Sequence, residues 1–380
     1  MTQENQPDNA TEIVAKDDTS QPKVLHPHCY TCNTGTVTSV TPTVLQKRLR
    51  NHAFDLLCGL CILRMILLHV MSICGYRSEF WFGKVMAWSF FFMSFFFFKA
   101  GYFNKGTSRP TLPYLWDRVK RLLVPYCTWG IIGSLVFFGY LLLWPDHFHK
   151  YYKVLRWSHL WEDSHVWGDP PLWFLFSFFM AYVVVHFLNK VRYLRWIAVT
   201  FPFISYWLWT QHNPLWMSLD NVFMGVFFFY LGHGWRWLQI KVSKPWLIAI
   251  SLLFIGLFIY GNTHWHGLYD MSLNKFVMRP WGAGINTVCA LVGFSGLLLA
   301  LPLRRIPVVG YIGEHSMVYF VAHYPLLYIY AFTHMAFRHT VAHHCEDVIL
   351  MMLFILITCT WLVPYIEKIP WLSGRYKKKT

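Results

Sequence analysis

Charge is scarce in this sequence. Only 13% of its 380 residues are Asp, Glu, Lys or Arg, about half the roughly 25% of an ordinary soluble protein. Acidic residues are the scarcest, 18 against 33 Lys plus Arg. No apolar core occurs in the first 46 residues, so no signal peptide is visible, and residues 1–46 read as a disordered polar cytoplasmic tail. The nine cysteines form no disulfide framework. Cys58, Cys61, Cys74, Cys127, Cys289 and Cys359 lie in or beside apolar runs, as inert buried thiols do, and only Cys345 falls in a connection placed outside. His26, His28, Cys29 and Cys32 offer metal-ligand types, but a second pair at metal-site spacing is missing unless the two His serve. Plain tail is the reading, with no metal. Internal repeats are also missing.

What is present is apolar: 56% hydrophobic residues, 19% of the chain aromatic. These fall in long runs, so lipid explains them better than one large interior. A net charge of +15 would direct a soluble domain toward nucleic acid. Here the basic residues stand between apolar runs, where they set orientation, and nucleic acid is set aside as a partner. The fold class is all-α and polytopic. A spanning helix needs about 20 mostly apolar residues, and ten stretches qualify: 54–74, 80–98, 122–144, 172–188, 193–209, 222–238, 246–260, 282–303, 316–333 and 348–366. Lys and Arg are in excess on one side at nearly every crossing, which puts both termini in the cytoplasm. The membrane domain is expected over 47–368, followed by a basic cytoplasmic tail over 369–380.

The outward connections are rich in Trp and His. Trp157, Trp173 and Trp265 are either interfacial anchors or a rim on which sugar rings stack. Ionisable residues inside apolar spans are costly and mark function. The first span holds Asp55, Arg64 and His69. His69 lies about 22 Å along that helix, where a neutral imidazole can act as a general base on a hydroxyl or bond between helices. Arg64 cannot shed its charge and needs an anionic partner. His323 lies within the ninth span. Arg118, Lys120 and Arg121 precede the third span on the cytoplasmic side, with Arg118 and Arg121 three apart on one helical face. Such a pair binds either phosphates or anionic lipid.

Six segments in order resemble the acyltransferase-three family of integral membrane acyltransferases. They are Asp55-Leu-Leu-Cys-Gly59 with His69 fourteen residues after the Asp, Phe97-Phe-Lys-Ala100-Gly101-Tyr102-Phe103, Arg118-x-x-Arg121-Leu-x-x-Pro125-Tyr126, Pro171-Leu172-Trp173-Phe174-Leu175, Phe229-Tyr230-Leu231-Gly232, and Gly313-Glu314-His315-Ser316 continuing to Tyr319, His323, Pro325 and Leu326. The resemblance implies an O-acetyltransferase-like enzyme of the bacterial cytoplasmic membrane. It would move an acyl group, acetyl first, from acyl-CoA to a hydroxyl of a glycan or other surface acceptor. By the same resemblance His69 is the catalytic base, Arg118 and Arg121 (with Lys120) hold the donor, and no tightly bound cofactor is needed. His323 and Arg64 are candidates for stabilising the oxyanion, and Asp55 opens the catalytic helix. Two positions depart from the family. Cys58 stands where an Arg or Lys is usual, and Ala100 replaces the turn Ser. Buried charge and a basic inner face also fit a transporter or glycan flippase without acyl transfer, or a scaffold with a degraded site.

Overall fold

The computed structural model describes residues 52–376 apart from 77–78, 105–109, 144–157, 159–161, 163–164, 192, 213–214, 266, 278, 302–305 and 339–344. The tail of residues 1–46 with its His and Cys at 26–32, Trp157, and residues 377–380 lie outside them.

Helices dominate. α1 (His52–Ile73) is proline-free, and its 22 residues reach about 33 Å, enough for a hydrocarbon core of about 30 Å. The second run is broken into α2 (Phe80–Trp88) and α3 (Phe92–Phe103). Ser89 sits at the break, and its hydroxyl donates to the Val85 carbonyl at 2.6 Å, a local bond that competes with the helix ladder. The third helical stretch starts earlier than its apolar run. α4 (Thr111–Arg118) continues through a π-turn at Val119–Leu123 into α5 (Val124–Leu143). Pro125 has no N–H, so the Arg121 carbonyl lacks its usual partner four residues on. A widened turn is the local answer.

A 3-10 turn at Pro170–Leu172 leads into α6 (Trp173–Leu188). The fifth run is a 3-10 segment, Leu194–Thr200, followed by α7 (Phe201–Thr210), with Pro202 in its first turn. Then come α8 (Asp220–Lys241), α9 (Lys244–His264), α10 (Pro280–Ala300), the short α11 (Pro307–Glu314), α12 (Ser316–Arg338), α13 (Cys345–Ile366) and α14 (Pro370–Ser373). Seven helical stretches among the described residues are long and apolar enough to cross a membrane. The chain is an integral membrane protein of all-α type. Of the ten expected runs, those at 193–209, 222–238 and 316–333 are not among the seven. The first is broken at proline, α8 carries Asp220, Arg236 and Lys241, and α12 carries His323, Pro325 and four tyrosines.

Glycines of the motif segments bring helices into backbone contact, as small residues do in membrane bundles. A Cβ at Gly101 would strike the Phe229 carbonyl, and one at Gly232 would strike the Phe98 carbonyl, so α3 and α8 lock reciprocally. Gly59 and Gly313 do the same for α1 and α11, against Val309 and the Asp55 carbonyl. The core lies between these pairs and α6, with Phe95, Phe97, Phe98, Phe228 and Phe229 fully enclosed.

Two features were not expected. The connection after α9 forms an antiparallel hairpin, β1 (Leu268–Asp270) with β2 (Lys275–Val277). Two residues of its tip, Met271 and Asn274, are buried against the bundle while Leu273 is exposed, and the Ser94 hydroxyl of α3 points at the Met271 sulfur at 3.8 Å. Asn274 takes a left-handed backbone, φ 46°, and its side chain accepts from Ser205 at 2.5 Å and Tyr269 at 3.1 Å. Irregular backbone of this kind survives in a bundle because its polar groups are paired there. The second feature is the segment after α13. Expected as part of a basic tail, residues 370–375 instead pack on the bundle. Trp129 of α5 donates to the Leu372 carbonyl at 2.9 Å, and Gly374, at φ 66°, lies against the Arg121 carbonyl that Pro125 leaves without its helical partner.

Candidate active site

His69 and Arg64 both project from α1 into one cavity of about 320 Å³. Its walls come from four places: α1, the α2–α3 break with Met86, Phe90 and Phe92, the segment holding His165, Pro170 and Pro171, and the hairpin with Tyr269, Asp270 and Ser272. The lining is mostly apolar with a few polar groups, the usual make-up of a small-molecule site.

Among the described residues, His69 is met by rings rather than by hydrogen-bond partners. The His323 ring is 5.3 Å away, centre to centre, and Tyr324 meets it edge-on at 5.1 Å. His323 is fully buried and does not line the cavity. Its Nδ1 donates to the Phe320 carbonyl at 2.6 Å. A carbonyl only accepts, so the proton sits on Nδ1 and the neutral ring keeps its lone pair on Nε2. That atom is buried without a partner among the described residues. A neutral His323 therefore has no donor for an oxyanion, and its place behind His69 suits it to fixing the His69 ring.

Arg64 lies flat over Phe92, with its guanidinium carbon 3.9 Å from the ring centre. Nε donates to the Ser89 hydroxyl at 3.1 Å, and Nη2 reaches the Met86 carbonyl at 3.5 Å. Asp55, by contrast, stands fourteen residues from His69 on the same helix, about 21 Å away. It does not line this cavity, and its backbone is where α11 docks.

The basic group before α5 is separate from the cavity. Arg118 stacks over Tyr182 at 4.1 Å and Tyr114 at 5.1 Å, and its Nε is buried without a partner among the described residues. Arg121 is ion-paired with Asp117 at 2.9 Å, so its charge is offset. Lys120 lies over Trp116 and Tyr376. A cation does stand beside Cys58, supplied by another helix: the Lys99 ammonium donates to the Cys58 sulfur at 2.9 Å.

Of the expected aromatic rim, Trp157 lies outside the described residues, and Trp173 and Trp265 do not line this cavity. Trp173 is buried in the core at the head of α6, because its helix starts inside the bundle. Trp265, half-buried at the end of α9, packs on Tyr260 and stays outside the cavity lining. Sequence reasoning missed Asp270 and Ser272, and placed His165 only among the histidines of the outward connections. The available signal was Asp270 two residues before Ser272, a self-capping turn in which Oδ1 accepts the Ser272 N–H at 2.9 Å and its hydroxyl at 2.6 Å. Among the described residues no three His, Cys, Asp or Glu side chains stand together as metal ligands.

A family model described as an acyltransferase domain, of the acyltransferase-three type, matches residues 51–368. No curated protein and no solved structure matches the chain.

Proposed function

The chain belongs to the acyltransferase-three family, and on that premise we propose that it moves an acyl group, acetyl by preference, from acyl-CoA to a hydroxyl of a glycan or glycolipid. The observation that carries this reading is an imidazole, His69, in the wall of an apolar cavity large enough for a thioester and a sugar hydroxyl. His69 takes the hydroxyl proton as the oxygen attacks the thioester carbonyl. The C–O bond forms, the C–S bond breaks, and the proton passes to the departing CoA thiolate. His323 holds the ring of the base. Arg118 and Lys120, with Arg121 in part, meet the phosphates of CoA from the cytoplasm, and Lys99 adds a cation at the α1–α3 contact. Ten spans with both termini on the cytoplasmic side of a bacterial inner membrane complete the reading, since this orientation puts the basic turn on the side where CoA is found.

The test is release of CoA thiol from acetyl-CoA by purified protein in detergent, beside His69→Ala. The variant is expected to lose at least about 10²-fold in rate while eluting as folded protein. Equal release by both would overturn the assignment of the base.

A further inference from the structure

The general base does not account for everything in the cavity. Arg64 lines the same wall, and a guanidinium keeps its charge at any working pH. What answers that charge here is the face of Phe92, 3.9 Å from the guanidinium carbon, and two neutral acceptors. One neutral hydroxyl bonds Nε and one carbonyl sits at 3.5 Å from Nη2. Nη1 is buried without a hydrogen-bond partner among the described residues. The carboxylate that shares the cavity, Asp270, makes no ion pair with it, and Oδ1 of Asp270 is occupied by Ser272 of its own hairpin. A cation held this way in an apolar bundle is costly unless a ligand completes it.

Spacing adds the second half of the argument. Arg64 and His69 are five residues apart on α1, about 7.5 Å along the axis, and both reach the cavity. One ligand of saccharide size can therefore touch both. Asp270 and Ser272 on the hairpin, together with His165, are hydrogen-bonding groups suited to sugar hydroxyls.

Resting on the acyl-transfer reading above, we propose that the acceptor is an acidic saccharide, whose carboxylate or phosphate binds Arg64 while a nearby hydroxyl meets His69. A guanidinium recognises either anion through paired N–H donors, so the two share one chemistry. Arg64 is then a specificity-determining residue for the acceptor.

Equilibrium binding to the purified protein tests this without requiring turnover. The probes are methyl glucoside, methyl glucuronide and glucose 1-phosphate. At least one acidic sugar is expected to bind about tenfold or more tighter than the neutral one. Whichever acid wins distinguishes a carboxylate from a phosphate ligand. Arg64→Gln should abolish the preference, and Arg64→Lys, which keeps the charge, should retain part of it. Equal binding of all three sugars, binding of none, or a preference that survives in Arg64→Gln would overturn the proposal. A further arm compares acetyl-CoA with succinyl-CoA in the thiol-release assay. An Arg64-dependent preference for succinyl-CoA without any preference among the sugars would move the anion to the donor and overturn the assignment to the acceptor. His69-independent thiol release would instead defeat the acyl-transfer mechanism, and the sugar-binding result would stand apart from it.

Discussion

At the scale of single residues, Lys99 of α3 and Cys58 of α1 stand in direct contact. The Lys99 ammonium stands 2.9 Å from the sulfur at position 58, delivered by α3. If that cation serves the donor, Lys99→Met should raise KM for acetyl-CoA by about tenfold, a charge-assisted bond being worth that much. Adding Cys58→Arg to that variant should restore KM, and a double variant as poor as the single one would deny the exchange. Asp169 is a different case, a fully buried carboxyl with both oxygens unpartnered among the described residues. Burial pushes its pKa well above the usual carboxylate value. An acid whose pKa is higher folded than unfolded stabilises the fold at low pH, and that contribution is lost as pH rises through the folded value. Melting temperature in detergent should therefore fall from acid toward neutral pH in the wild type. Asp169→Asn should flatten the profile, and an unchanged slope in that variant would assign the dependence to another group. Single residues were partly legible in the sequence. His69 and Arg64 declared themselves because ionisable groups are rare in apolar runs. Asp270 and His165 did not, because a polar residue in a connection carries no such signal, and only the inward fold of the hairpin brings them to the cavity.

At the level of elements, motif glycines that read as parts of a catalytic signature turn out to be contact points. α3 and α8 meet backbone to backbone at Gly101 and Gly232, where no side chain can yield. Gly101→Leu should cost about 3 kcal/mol or more by overpacking, read as a lowered melting temperature. Gly83→Leu is the control, since a Cβ there meets nothing within 4 Å, and equal loss in the two would mean that helix propensity rather than contact decides. The apolar runs placed the ends of most long helices to within five residues, the early start at Thr111 excepted. They did not give the break at Ser89, the π-turn at Val119–Leu123 or the hairpin, for a common reason. Each depends on a single group, a serine hydroxyl at the break, a missing N–H at the π-turn or partners far along the chain at the hairpin, and hydropathy averages over all three.

For the whole molecule, the distribution of Lys and Arg makes a prediction that packing alone does not. The connection carrying Lys190 and the hairpin carrying Leu273 should face opposite sides of the membrane. A membrane-impermeant maleimide on intact cells should label Leu273→Cys, whose position is exposed, and reach Lys190→Cys only after permeabilisation. Labelling of both from outside would break the ten-span alternation. The clasp of Leu372 and Gly374 on α5 has a consequence in time. Trp129 and its acceptor carbonyl are 243 residues apart, so at about 5–20 residues per second of synthesis the α4–α5 turn exists for roughly 12–50 s before its cover is made. Through that interval the nascent chain carries the basic turn with the Arg121 carbonyl uncovered. A ribosome that stalls after α13 leaves the basic turn without the segment that packs on it, so this contact forms later than the helices it joins.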